Sequence, residues 1–152
     1  MTEQTAPNKL LDTVRARVER FLRDMGPYEV TGNNYRIHMG SAMLQLEIHP
    51  FANSKPFIRL ICPLLRGVTK AGNEAMFEEF LRHNSDWIFG KIYWLEMNDT
   101  PGQGIIFIEH CLLGEFLDYE ELLAGIQCLI NLCDEQDEVF QAKFGGQRWA
   151  DD

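Results

Sequence analysis

The segment "KIYWLEMNDTPGQGIIFIEHCLL", residues 91–113, predicts two β-strands joined by a tight turn. β-branched and aromatic residues fill both apolar runs, and Pro101 and Gly102 between them suit the central positions of a type II turn. Successive strand side chains point to opposite faces, and here both faces are apolar. A helix-covered antiparallel sheet is usually polar on its other face, so this hairpin predicts a second covering, from helices of the same chain or from another molecule.

Helical segments flank this hairpin on both sides in the sequence. Apolar residues recur at three- and four-residue spacing in residues 8–26, 73–90 and 118–146, which is the pattern of an amphipathic helix. The segments 28–50 and 55–65 between them have the residue types and alternation of strands. The resulting order, α-β-β-β-α-β-β-α, predicts an α+β fold in which one antiparallel sheet packs with helices.

The first strand pair has a predictable register. Gly40 and Ser41 suit a two-residue hairpin turn, because the first turn position needs a positive φ angle. This turn pairs Met39 with Ala42 and leaves one face of the hairpin nearly all apolar. A slip by one residue would mix the two faces, so the pattern selects this register. In the third strand, Pro63 predicts an edge, a bulge or the strand's end.

The length and composition predict one domain. A chain of 152 residues, of which 45% are hydrophobic and 24% charged, can bury one substantial core. No internal repeat or long linker divides it. The predicted α+β domain spans residues 9–146, with a flexible N-terminal segment at residues 1–8 and a short C-terminal tail at residues 147–152.

The net charge of the chain limits which classes of molecule can be expected as partners. Fourteen basic and twenty-three acidic residues give a formal net charge of −9. This charge repels phosphate backbones and anionic lipid surfaces, so neither a nucleic acid nor a membrane is expected as a partner. The apolar runs are too short to span a bilayer, and the first residues lack the apolar core of a signal peptide. The sequence therefore predicts a cytoplasmic protein.

Glu109, His110 and Cys111 place a carboxylate, an imidazole and a thiol side by side. On a strand, His110 points to the face opposite the other two, so these residues do not form a catalytic group. The histidines and cysteines lack the spacing of a zinc site, and no glycine motif suits a nucleotide. We therefore predict no catalytic, cofactor-binding or metal-binding residue. A carboxylate pair, Glu96 and Glu109, stays open as an alternative for acid–base catalysis.

Two segments carry a resemblance to a known superfamily. They are "FLRHNSDWIFGKIYWLEM", residues 80–97, and "GIIFIEHCLLGEFLDYEELLAGIQCLINLCDEQDEVFQAKFGG", residues 104–146. With the order of elements, they make the chain from about Leu10 to Gly146 resemble the YbjN-like and type III secretion chaperone-like superfamily. The resemblance implies a single twisted antiparallel sheet, a homodimer, and a non-enzymatic function in which apolar grooves hold another polypeptide.

The sequence and the resemblance together predict a dimeric, chaperone-like protein that acts through protein–protein contact with an unidentified client. The side chains predicted to form the partner or dimer interface are Trp87, Tyr93, Trp94, Ile106 and Ile108. One alternative is a small-molecule-binding protein or enzyme whose pocket lies between sheet and helices, with Glu96, Glu109 or His110 supplying polar groups. A second alternative is a regulatory subunit that responds through the loop at residues 98–104.

Overall fold

The fold consists of one antiparallel sheet and three α-helices in the part of the chain that the structure describes. The computed structural model describes residues 6–40, 42–51 and 55–151. The elements in chain order are α1 (Ala6–Met25), β1 (Glu29–Thr31), β2 (Asn34–Met39), β3 (Ala42–Phe51), β4 (Lys55–Thr69), α2 (Glu74–Asp86), β5 (Lys91–Glu96), β6 (Gln103–Leu113), α3 (Tyr119–Phe144), β7 (Gln147–Arg148) and a final 3₁₀ turn (Trp149–Asp151). Along the sheet the strand order is β1-β2-β3-β4-β6-β5, and β7 pairs with β4.

The helices pack on one face of the sheet. α3 lies against β3, β4 and β6, α1 contacts β3 and β4, and α2 packs against β5. Apolar residues at helical spacing, such as Val14, Val18 and Phe21 in α1, are buried against this face. The core therefore lies between the sheet and this single helical layer. None of the helices described here is long and apolar enough to cross a lipid bilayer.

The first hairpin has the register that the sequence predicts. Met39 pairs with Ala42 across the turn. Gly40 has a φ angle of +61°, a region that side chains disfavour, while Ser41 lies outside the described residues. The pairs behind the turn that face the helices are Ile37 with Leu44 and Tyr35 with Leu46.

β5 and β6 form the predicted second hairpin. The amide of Gln103 donates to the carbonyl oxygen of Thr100 at 3.1 Å, and Gly102 has a φ angle of +79°. These are the features of a type II turn with Pro101 and Gly102 at its centre. The strand pairs closest to the middle of this hairpin are Ile92 with Ile108, Tyr93 with Phe107 and Trp94 with Ile106.

Two short strands and a bulge add to the predicted order. β1 pairs with β2 at one edge of the sheet, and β7 pairs with β4 at Leu65 and Arg66. β7 and the 3₁₀ turn thus occupy the predicted C-terminal tail, and α1 includes Ala6, inside the predicted N-terminal segment. In β4 the register with β6 shifts just after Pro63, as expected for a residue that has no amide donor.

Gly104 generates a first testable prediction, because the hairpin leaves no room for a side chain there. A Cβ atom at this position would overlap Cε2 of Trp94 and the carbonyl oxygen of Leu95. We expect Gly104→Ala to lower the free energy of unfolding by about 1–3 kcal/mol, because the indole and the backbone must both move. Urea unfolding followed by circular dichroism measures this loss.

Gly125→Ala is the matched control. Its Cβ would meet only the ends of the Leu60 and Leu112 side chains, both at 3.2 Å, and these ends can shift. Alanine also favours the helix by about 1 kcal/mol relative to glycine, so we expect a much smaller change. An equal loss of stability in the two variants would contradict the close packing of Trp94 on Gly104.

Candidate protein-binding surfaces

The open face is the side of the sheet opposite the helical layer, and its centre carries Arg59, Ile61, Tyr93, Phe107 and Glu109. Strand pairing places Ile61 beside Glu109 and Tyr93 beside Phe107. The Tyr93 and Phe107 rings stack with 5.5 Å between their centroids. Although this face has no helix over it, Glu109 is only 3% exposed. A carboxylate this buried needs compensating partners.

Two cations hold the Glu109 carboxylate. Arg59 donates from Nε to Oε2 at 2.8 Å and contacts the same oxygen through Nη2, while Nζ of Lys91 lies 2.8 Å from Oε1. Arg59 Nη2 also donates to the Tyr93 hydroxyl at 2.9 Å, and Nη1 lies 3.5 Å from Glu47. We call these five residues the Glu109 cluster. Its internal pairing allows a buried charge on a face without helices.

The Glu109 cluster shifts the pKa values of its members. Burial alone would raise the pKa of Glu109, but hydrogen bonds from Arg59, Lys91 and Tyr93 outweigh burial and lower it from 4.5 to about 2. Burial raises the pKa of Tyr93, and the neighbouring Glu109 carboxylate raises it further. At neutral pH Glu109 is therefore ionised and paired, which makes it a poor general acid or base.

A depression of about 360 Å³ lies beside the Glu109 cluster, and we call it the open-face trough. Polar groups of the cluster form part of its wall, and Trp149 of the 3₁₀ turn contributes another part. Leu95 in this trough is an exposed edge-strand side chain. The other apolar side chains in the wall are Met43, Ile61, Pro63 and Phe107.

Three of the five predicted interface residues belong to the core. Ile106 and Ile108 are fully buried beneath the helices. Trp94 packs edge-on against Phe77 of α2, with 6.1 Å between ring centroids, and its Nε1 donates to the carbonyl oxygen of Val68 at 3.1 Å. The helical layer covers this side of the hairpin, so we withdraw these three residues from the proposed contact surface.

The other two predicted residues lie at the surface, Tyr93 in the open-face trough and Trp87 in the loop between α2 and β5. This loop, residues 87–89, is called the WIF loop here. Ile88 at its centre is fully exposed, while Trp87 and Phe89 are half-buried. The Trp87 ring lies over His83 at 4.7 Å, and Phe89 stacks on His110 at 3.6 Å between centroids.

The WIF loop is fixed at both ends. The Asn84 side chain accepts from the amide of Ile92 at 2.7 Å and donates to its carbonyl oxygen at 2.9 Å, which joins the end of α2 to β5. The amide of Trp87 donates to the carbonyl oxygen of His83 at 2.8 Å, and Gly90 reverses the chain with a φ angle of +82°. Ile88 is therefore exposed in a defined position.

A further apolar cluster lies where β4 begins and β6 ends. Leu113 is 64% exposed, and Phe116 in the loop after β6 is 77% exposed. Phe57, Cys111 and Leu113 line a depression of about 260 Å³. We call these four residues the β6-end patch.

Glu109, His110 and Cys111 are arranged as the sequence predicts. Cys111 Sγ lies 3.8 Å from the Glu109 carboxylate, whereas His110 pairs with the core residue Leu60 on the helix-covered face. Burial raises the pKa of the Cys111 thiol, the Glu109 charge raises it further, and burial lowers the pKa of His110. A thiol with a raised pKa, next to a carboxylate whose own pKa is about 2 and which is therefore a weak base, is a weak nucleophile.

The carboxylate pair considered for acid–base catalysis does not form. Glu96 pairs with Gly104 in the hairpin and accepts from the Gly102 amide at 2.6 Å, about 17 Å along the strand from Glu109. Glu96, Glu109 and His110 therefore do not converge on a pocket between sheet and helices. In the described residues, no group of three or more His, Cys, Asp or Glu side chains is placed to hold a metal ion.

Neither the cations that hold Glu109 nor the exposure of Ile88 was predicted from the sequence. Arg59 is fifty positions from Glu109 in the chain, so no local pattern connects them. Ile88 had a usable signal, because three consecutive bulky apolar residues between a helix end and Gly90 cannot all be buried by a short loop.

Comparisons with solved structures place this architecture among secretion chaperones and YbjN. A chain of the HopA1-SchA chaperone–effector complex is 12% identical with a TM-score of 0.58, and the match covers 88% of this chain and 98% of that one. YbjN from E. coli is 12% identical with a TM-score of 0.59, covering 86% of this chain and 93% of that one. At this identity the likeness concerns the fold. No curated protein matches the sequence.

The chain therefore shares its fold with a chain of that chaperone–effector complex and with YbjN. A family model described as "T3SS (YopN, CesT) and YbjN peptide-binding chaperone 1" matches residues 8–152. The chain belongs to this family, TY-Chap1. The resemblance stated from the sequence and the predicted α+β fold are both confirmed.

The Glu109 cluster predicts a pH dependence of stability. Folding lowers the pKa of Glu109, so its stabilisation is complete above about pH 4.5 and is lost as the pH falls towards 2. We expect Glu109→Gln to lower the free energy of unfolding at neutral pH by about 3 kcal/mol, and this difference from wild type to shrink below about pH 4.5. Urea unfolding across this pH range measures both quantities.

Glu115→Gln is the control for this prediction, because the Glu115 carboxylate lies at the surface and pairs with the exposed Lys55 at 3.1 Å. We expect that change to cost less than about 1 kcal/mol at any pH. A difference between Glu109→Gln and wild type that does not vary with pH would contradict the role assigned to the cluster.

Proposed function

We propose that this protein is a non-enzymatic, dimeric, chaperone-like module that binds another polypeptide through apolar surfaces. Its family is described as peptide-binding chaperones, which makes a polypeptide the best-supported class of partner. One structural neighbour comes from a chaperone–effector complex. The geometry of this chain then indicates which of its surfaces offer contacts.

The observation that carries the proposal is the exposure of large apolar side chains at fixed places. Ile88 projects from the WIF loop, Leu113 and Phe116 from the β6-end patch, and Leu95 from the open-face trough. Burying one such side chain contributes about 1.5–3 kcal/mol. Soluble chains seldom leave these groups clustered in water unless a partner covers them. Tyr93 stays in the proposed contact surface as a neighbour of Leu95.

The polar groups near these surfaces support binding rather than catalysis. Arg59 and Lys91 neutralise Glu109, and the raised pKa of Cys111 keeps its thiol protonated. His110 lies on the other face of the strand, stacked on an aromatic ring. Catalysis of the type considered would need a general base strong enough to deprotonate the thiol, and Glu109, with a pKa of about 2, is too weak.

The homodimer and the cytoplasmic location are part of the same proposal. We propose a homodimer because the sequence resembles secretion chaperones. The proposal does not assign residues to the dimer interface. The net charge of −9 suits a protein that must keep apolar side chains exposed without aggregating.

The proposal predicts a dimer with accessible apolar surface. We expect the chain to sediment at micromolar concentration with twice the mass of one chain, to bind an apolar fluorescent dye, and to slow the aggregation of an unfolding model client in light scattering. Exchanging both Ile88 and Phe116 for serine should reduce dye binding several-fold, because two exposed anchors are removed.

Val139→Ser is the control, because Val139 is exposed on α3 outside the named surfaces. It should leave dye binding nearly unchanged. A monomer that binds no dye and does not slow client aggregation would show the proposed function to be wrong.

A further inference from the structure

The WIF loop and the facing side of α3 form an open groove of about 450 Å³, which we call the WIF groove. Its apolar lining comes from Trp87, Ile88, Phe89 and Leu132. Asn131 and Leu132 are three and four positions after Cys128, so both lie on the same side of α3 as Cys128. The groove is thus an apolar surface with few polar groups, built from two rigid elements.

Both charged residues in the lining of the WIF groove are acidic. Asp86 ends α2 and Glu135 lies on α3, so a carboxylate comes from each side of the groove. Both residues are exposed, and within the described chain neither forms an ion pair. The net charge of the whole chain has the same sign. Asp86 and Glu135 form the rim of the groove, and this acidic rim attracts positively charged groups.

The WIF groove needs no partner to hold its shape. The Asn84 side chain joins α2 to β5, Trp87 contacts the His83 ring at a tilt, and Phe89 stacks on His110. A surface whose side chains are already in place loses little conformational entropy on binding. When a partner covers Ile88 at the edge of this groove, most of the favourable free energy of burying Ile88 is therefore available for binding.

We infer that the WIF groove binds a client segment in which a large apolar side chain is flanked by lysine or arginine. The apolar side chain contacts Trp87, Phe89 and Ile88, and the flanking cations meet Asp86 and Glu135. Complementary charge at an interface speeds association and disfavours partners of the wrong sign. The inference rests on the proposed function and adds the chemistry of the client.

Other occupants fit this groove less well. The groove is shallow, so a small molecule would leave much of its surface in water, whereas a polypeptide segment can continue beyond both rims. Nucleic acid and anionic lipid would be repelled by the acidic rim. A second copy of this chain placed groove to groove would bring its own Asp86 and Glu135 against the same acidic residues.

Three synthetic peptides of equal length test the inference in isothermal titration calorimetry. One has leucines flanked by lysines, the second has the same leucines flanked by glutamates, and the third has serines flanked by lysines. We expect the first peptide to bind about tenfold more tightly than either of the others. Only this peptide has both apolar side chains for the apolar lining of the groove and cations for its two acidic residues. Added salt should weaken its binding, since the flanking contacts are exposed.

Two variants test whether the peptide binds at the WIF groove. Ile88 and Glu135 are both exposed, so Ile88→Ser and Glu135→Lys should keep the fold, which circular dichroism verifies. We expect Ile88→Ser to weaken binding of the first peptide about tenfold. Glu135→Lys should weaken the lysine-flanked peptide and strengthen the glutamate-flanked one. Val139→Ser removes an exposed apolar side chain of α3 that lies outside the named surfaces, and it should change neither affinity.

Several results would overturn the inference. Equal affinities for the three peptides would do so, as would a Val139→Ser variant that weakens binding as much as Ile88→Ser; in both cases a polypeptide still binds and the proposed function stands. Loss of the dimer in Ile88→Ser would assign the groove to self-association instead. If no peptide binds, the inference fails, and if the chain also fails to slow client aggregation, the proposed function fails with it.

Discussion

The antiparallel pairing of β4 with β6 determines which side chains meet the helices and which are left for the other face. It places Cys62 beside Ile108 in the core and Ile61 beside Glu109 on the open face. The core pair is closed by α3, whereas the buried Glu109 carboxylate is stable only because Arg59 and its neighbours surround it. β5 pairs with β6, so the place of β6 in the sheet also determines where β5 lies and where the WIF loop before β5 lies.

A rigid frame of this kind suits a protein that holds another polypeptide. The exposed apolar side chains belong to short loops and strand ends that the core fixes in place, so they do not depend on a partner for their geometry. Exposure of Ile88 and Phe116 in water is unfavourable, and an interface that covers them recovers that free energy. The chain belongs to a family described as peptide-binding chaperones, which supports the function that we propose for this arrangement.

The sequence predicts some of these features and not others, for physical reasons. The β2–β3 register was predictable because polar and apolar residues alternate there and Gly40 marks the turn. In the β5–β6 hairpin both faces are apolar, so alternation does not tell which face the helices cover, and Ile106 and Ile108 were expected at an interface although they are core residues. The contact of Arg59 with Glu109 joins distant parts of the chain and leaves no local signal.

Hydrogen–deuterium exchange of the whole chain, with and without the lysine-flanked leucine peptide, tests most directly whether a polypeptide binds to this frame where we propose. Amide exchange reports local opening segment by segment. We expect slower exchange at residues 86–90 and 128–135, which form the WIF groove, and unchanged exchange at the β6-end patch. Exchange that does not change anywhere at saturating peptide, or protection confined to other segments, would contradict the account.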